Sequence, residues 1–151
     1  MTILIFGTDY NKYKKVLSKI DINMKKSIEF GYGIRILHQD LWEMIISFII
    51  SANNNIPRIK GIIERISKRA GKKTCWRGQE YYLFPTIKEL SKFTTADFRE
   101  LGCGFRDKRL YKTVQMIIDK EVDIEVLKDA DNTNAIREEL LKLDGVRRKS
   151  C

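Results

Sequence analysis

At 151 residues the chain is the length of a single domain, long enough to bury roughly 70% of its unfolded surface around one core. Its 43% hydrophobic and 32% charged residues, with only 9 Gly and 2 Pro, exclude disordered, collagen-like and low-complexity classes. Twenty-nine Lys and Arg against 20 Asp and Glu leave a formal charge of +9, which favours a polyanionic partner, nucleic acid ahead of an acidic membrane surface. Cys75, Cys103 and Cys151 are an odd number at wide spacing with no secretory leader visible, which argues against a disulfide framework and for a reducing, cytoplasmic compartment. With the lone His38 they form neither a CxxC pair nor a His pair, so no metal or cofactor is expected. The longest apolar run, 44–50, is broken by Ser47 and is far shorter than the ~20 residues a membrane helix needs.

In chain order, Met1 to Phe6 is apolar and β-branched and predicts a strand or extended lead-in, interrupted by Gly7 and Thr8. Asp9 then caps a helix running to Ile20, with Tyr13, Val16, Leu17 and Ile20 on one face and Lys12, Lys14, Lys15 and Lys19 on the other. Asp21 opens a second short helix that ends near Gly31 and Gly33. Asp40 precedes residues 41–50, apolar nearly all round, which predicts a central and buried helix. Asn55 suits an N-cap and Pro57 the first turn of the next helix, whose Ile59, Ile62, Ile63 and Ile66 face inward. From Arg58 to Arg77 there are eight basic residues against the single acid Glu64, the densest positive stretch of the chain.

Gly71 to Glu80 reads as a polar connection, with Tyr81 to Phe84 as a second strand candidate. Thr86-Ile87-Lys88-Glu89 has capping-box form, and Thr94 or Thr95 opens a further helix. That helix ends before Leu101-Gly102-Cys103-Gly104-Phe105-Arg106, where two glycines permit a tight turn. A longer amphipathic helix follows through Leu110, Val114, Ile117 and Ile118. Residues 119–131 hold six acids and two bases, an acidic surface unsuited to a polyanion. A final helix at about Asn134 to Leu143 meets Asp144-Gly145-Val146 and then Arg147-Arg148-Lys149. There is no internal repeat and no linker; the class is mainly α, with a short extended segment at the N-terminus, in a single domain over 1–151.

Taken singly, these stretches have plain readings: Asn53 to Asn55 as turn and cap residues, Phe105 as core, the arginines as solvated surface. Together, 31–43 (GYGIRILHQDLWE), 47–59 (SFIISANNNIPRI), 81–86 (YYLFPT), 101–106 (LGCGFR) and 143–149 (LDGVRRK) resemble, in the same order, the 8-oxoguanine DNA glycosylase/AP lyases of the helix-hairpin-helix DNA glycosylase superfamily. The resemblance covers essentially the whole chain but only the middle of the family, whose members have an N-terminal β domain and continue beyond the hairpin. It implies a helical glycosylase domain fragment that ends inside the helix-hairpin-helix motif.

The resemblance also implies chemistry. Removing a base from duplex DNA requires turning the nucleotide out of the stack at a cost of a few kcal/mol, filling the hole and holding the orphaned partner. By resemblance, Asn53 fills the vacated space, Arg58 and Arg106 donate hydrogen bonds to the estranged cytosine, and Phe105 stands where the family often has a tyrosine wedge. Gly145 and Val146 belong to a hairpin whose backbone amides bind a DNA phosphate. Asp144 and Arg147 replace the usual Pro and Gly there. Lys149 aligns with the nucleophile, an amine that attacks the anomeric carbon, forms a Schiff base and labilises the 3′ phosphate by β-elimination; it must be neutral to do so. The implied partner is double-stranded DNA containing oxidised guanine, met in the cytoplasm or, in a bacterium, at the nucleoid. No obligate protein partner is implied, and self-association through exposed core is expected. The alternative functions are a non-catalytic basic helical DNA-binding module and an inactive remnant.

Overall fold

The computed structural model describes residues 10–34, 39–128 and 132–146, and the chain divides into two compact units, Met1–Gln39 and Asp40–Cys151. In the first unit, α1 (Tyr10–Leu17) stops short of the expected Ile20, and α2 (Ile22–Phe30) follows after a turn. The Asp21 carboxylate accepts the Met24 amide at 2.7 Å and supplies the N-cap that the sequence suggests. The apolar face read for α1 is exposed at Tyr13, Val16 and Ile20, and Lys14 lies 4.0 Å from the Tyr32 ring centroid. The expected strand at Met1 to Phe6 and the Asp9 cap lie outside the described residues.

The second unit is built round α3 (Leu41–Ser51). Asp40 caps it, and Trp42, Ile45, Ile46, Ile49 and Ile50 are all buried. Each such side chain contributes about 1.5–3 kcal/mol by leaving water. The expectation of burial nearly all round is corrected: Met44 and Phe48, one turn apart, are exposed, so α3 has a covered face and an open one. The Trp42 indole donates to the Pro85 carbonyl at 3.0 Å, tying the buried helix to the segment before α5. Against α3 lies α4 (Ile56–Ala70), started by the Asn55 cap and Pro57 and burying Ile62 and Ile66.

After α4 the expected polar connection is a β-hairpin, β1 (Lys73–Trp76) antiparallel to β2 (Gln79–Tyr82), with Cys75 opposite Glu80. This corrects the sequence reading twice, since β1 was not anticipated and β2 sits two residues before the candidate strand at Tyr81 to Phe84. Arg77 and Gly78 both have positive φ, 51° and 77°, the twist-matched geometry of a two-residue hairpin turn, and only Gly78 carries a strong sequence signal for it. Capping boxes at Thr86/Glu89 and Thr94/Asp97 start α5 (Ile87–Leu90) and α6 (Thr95–Glu100). A 3₁₀ turn at Gly104–Arg106 leads directly into α7 (Asp107–Ile118).

The acidic stretch contains a further helix, α8 (Ile124–Lys128), which the charge pattern hides. Val122, Ile124 and Leu127 bury themselves in the core between exposed acids, so the segment is a core element with an acidic outer face. The last described helix, α9 (Thr133–Leu141), begins at the Asn132 cap and ends in the turn Leu143 to Val146. Leu143 is buried in the same core as α3, which fixes that turn to the unit's centre.

Candidate nucleic-acid interface

The site begins at the end of α3. Asn54 donates to the Ile50 carbonyl at 3.0 Å and Asn55 accepts the Arg58 amide at 3.0 Å, so these two asparagines serve turn and cap. Asn53 does something different. It takes φ 48°, in the left-handed region that Asn tolerates better than most residues, and is exposed; among the described residues its side chain takes no hydrogen bond. The sharp reversal presents that side chain at the tip of the turn.

What holds the tip is Arg106. The side chain is buried at 2% exposure, and its fork closes on backbone oxygens: Nε on the Ala52 carbonyl at 2.9 Å, Nη2 on the Ala52 and Asn53 carbonyls, the latter at 2.8 Å, and Nη1 on the Cys103 carbonyl at 3.3 Å. Charge-assisted bonds of this kind contribute about 1.5–3 kcal/mol each. Burial, with Arg58 and then Arg109 adding repulsion, holds the Arg106 pKa below its ordinary value; the group stays charged at neutral pH because arginine starts so high. The structure thus joins two of the sequence-derived residues, Asn53 and Arg106, 53 positions apart, through one guanidinium.

Phe105, the neighbouring residue, is 58% exposed, which excludes the plain core reading of that ring. Its ring lies 4.3 Å from the Arg106 guanidinium carbon, a cation–π contact that orients an otherwise loose side chain. Arg58 is exposed and donates through Nη2 to the Gly102 carbonyl at 3.4 Å, so it stands on the same side as the loop. Seven residues further along α4, Arg65 Nε donates to the Leu101 carbonyl at 2.8 Å. The sequence reading missed this contact, though two turns of spacing between Arg58 and Arg65 is the signal that could have found it.

The turn after α9 approaches the same end of α3. Gly145 has φ 118°, and a Cβ built there would lie 3.3 Å from Ile49 and 3.6 Å from the Arg109 side chain, so both conformation and space call for glycine. The Thr113 hydroxyl donates to the Asp144 carbonyl at 3.3 Å, and the Val146 amide donates to the Leu143 carbonyl at 3.1 Å, closing the turn on itself. Lys149 lies outside the described residues, as do Arg147 and Arg148. Cys103, between the two arginine-bearing segments, is fully buried; burial pushes its thiol up to about 11 against the pull of Arg65, Arg106 and Arg58, so it is a neutral core group and not a nucleophile. Among the described residues no group of three or more His, Cys, Asp or Glu is placed to hold a metal ion, and no helix is long and apolar enough to cross a membrane.

The chain is similar to several known proteins. Residues 2–45 match the family model described as 8-oxoguanine DNA glycosylase, N-terminal domain, a span that contains nearly all of the first unit and runs into α3. The yeast Saccharomyces cerevisiae N-glycosylase/DNA lyase is 37% identical over 125 residues, 76% of this chain and 33% of the relative. The solved 8-oxoguanine glycosylase/lyase of Clostridium acetobutylicum superposes in its apo form with a TM-score of 0.86 and 50% identity, covering 93% of this chain and 50% of that one. The chain belongs to the 8-oxoguanine DNA glycosylase/lyase family. It spans about a third of the yeast relative and half of the clostridial one. The clostridial protein has also been solved with double-stranded DNA containing cytosine opposite 8-oxoguanine, a structure that matches this chain with a TM-score of 0.83 and 50% identity, covering 93% of this chain and 49% of that one. Its helical architecture is that of the family, as the mainly α sequence reading expects.

Proposed function

We propose that the second unit is the DNA-engaging part of an N-glycosylase/AP lyase that removes 8-oxoguanine in base-excision repair. The observation that carries this reading is the joining of Asn53 to Arg106: an exposed amide at a strained turn, backed by a buried guanidinium and flanked by exposed Arg58 and Phe105. A side chain that fills the space left by an everted base has to be exposed and rigidly backed, and this one is both. Phe105 acts as the wedge beside it, an exposed ring whose face can stack on a base. Arg58, which is exposed, donates to the cytosine left without its partner, whereas Arg106, buried with its donors on backbone carbonyls, sets how far Asn53 reaches in place of the direct contact that the resemblance implies.

The turn holding Gly145 and Val146 lies against the end of α3 with the Arg109 side chain next to Gly145, so Arg109 adds positive charge where the phosphate is received. Lys149, three residues beyond Val146, is the nucleophile. Its neutral amine attacks the anomeric carbon as the damaged base leaves with the bond electrons; of the two protons then on the nitrogen, one passes to the base and the other to the ring oxygen as the ring opens, giving the Schiff base, from which loss of a C2′ proton and departure of the 3′ phosphate complete the β-elimination. Arg147 and Arg148 precede it in the sequence, and cationic neighbours of this kind favour a neutral amine. The substrate is double-stranded DNA with oxidised guanine opposite cytosine, in the cytoplasmic compartment that holds the DNA.

Sodium borohydride trapping on an 8-oxoguanine·cytosine duplex tests the reading. A covalent adduct that disappears in Lys149→Ala supports it. Binding to the duplex without an adduct leaves a DNA-binding module in place of an enzyme.

A further inference from the structure

We infer that Asp107, held by Arg99, is a positioning residue for the loop that carries Phe105 and Arg106, and so for recognition of the base opposite the lesion; the inference rests on the function proposed above. Asp107 is the first residue of α7 and follows Arg106 directly. It is buried, at 2% exposure, and no step of the proposed chemistry uses it. Both Nε and Nη2 of Arg99 lie 2.7 Å from its Oδ2, while its Oδ1 accepts the Lys108 amide at 2.6 Å. One carboxylate therefore ties the last full turn of α6 to the first turn of α7, where a helix start favours a negative charge.

The chain between those anchors is short and contains the loop. From Arg99 to Asp107 it passes through Gly102 and Gly104, both at positive φ, then Phe105 and Arg106. Two glycines make such a segment intrinsically mobile. With its ends pinned by the ion pair, the loop keeps Arg106 on the Ala52 and Asn53 carbonyls and Phe105 outward. Removing Arg99 leaves a buried carboxylate without its cation, which costs more than breaking a pair between two exposed groups.

The two substitutions that break the pair change the protein's charge in opposite directions, and this separates positioning from phosphate attraction. Duplexes of equal length with an abasic-site analogue opposite cytosine or adenine, and an undamaged duplex, are titrated against wild type, Asp107→Asn and Arg99→Gln, with alkylation of Cys103 followed by peptide mass spectrometry. Both variants are expected to lose about tenfold in cytosine-over-adenine preference, as small misplacements of contacting groups do. Affinity for the undamaged duplex should hold or rise in Asp107→Asn and fall in Arg99→Gln, and Cys103, now fully buried, should alkylate faster in both. Should Asp107→Asn fail to melt cooperatively, Arg99→Gln alone decides, because the Arg99 side chain is 66% exposed. A preference retained in the folded variants, a wild type without any preference, or unchanged Cys103 alkylation overturns the inference. A wild type that binds no duplex overturns the functional reading as well, a result distinct from all of these.

Discussion

Two connections in the second unit have similar ingredients and different fates. The segment 71–83 and the segment 101–107 each contain glycine, arginine and aromatic residues, and each links two elements of the helical unit. In the first, the strands β1 and β2 pair only with each other, Trp76, Tyr81 and Tyr82 are exposed, and Arg77 lies over Trp76 with its charge in water. In the second, the arginine is buried, its donors close on the carbonyls of a distant turn, and a carboxylate behind it is neutralised by Arg99. Composition does not distinguish them. The difference is the destination of one guanidinium, which turns a mobile glycine loop into a fixed surface.

That contrast can be broken from its strong end. Arg106→Gln removes the fork that joins the loop to the Ala52–Asn53 turn and leaves part-buried carbonyls unpartnered; a loss of about 3 kcal/mol is expected in chemical denaturation, together with loss of lesion preference. Gly145→Ala forces a Cβ onto a left-handed backbone 3.3 Å from Ile49 and should cost about 1–3 kcal/mol, read in the same denaturation assay. Trp76→Ala, at the weak end, should change stability by less than about 0.5 kcal/mol, since an exposed ring on a two-stranded ribbon has little burial to lose. A Trp76→Ala effect as large as that of Arg106→Gln would erase the distinction between the two segments.

A further effect concerns pH. Asp97 and Glu89 have carboxyl pKa values below their ordinary range, Asp97 through the Thr94 side chain and backbone and Glu89 through the Thr86 backbone and side chain. A carboxylate with a lowered folded pKa contributes stability above its unfolded value, and that contribution is lost as pH falls through the folded one. Thr94→Ala should therefore lower the melting temperature by a few degrees at pH 7 and by less near pH 3, so that its acid limb is shallower than wild type.

The sequence is most informative where local chemistry is self-contained. The caps at Asp21, Asp40, Asn55, Thr86 and Thr94 and the buried face of α3 are visible because each needs only neighbours within one or two turns. The hairpin is hidden because its turn places Arg77, a residue with no preference for positive φ, beside Gly78. The helix α8 is hidden because acids on one face mask Val122, Ile124 and Leu127 on the other. Of the site, Asn53, Arg58, Phe105, Arg106 and Gly145 follow from family order in the sequence. That Arg106 is a buried clamp follows only from the fold, because its partners are carbonyls 53 and 54 positions away, which no side-chain pattern records. The pairing of Asp107 with Arg99 is hidden because its cation is on another helix, across a glycine-containing loop.

The measurement that bears most directly on the joined Asn53 and Arg106 is a titration of wild type and Asn53→Ala with undamaged and abasic-site duplexes of equal length over several salt concentrations. Wild type should prefer the abasic duplex, while Asn53→Ala should lose that preference and keep the same salt slope, because an uncharged amide neutralises no phosphate. A wild type that binds both duplexes equally along one steep salt slope would reduce the surface to phosphate attraction and contradict the role given to that turn.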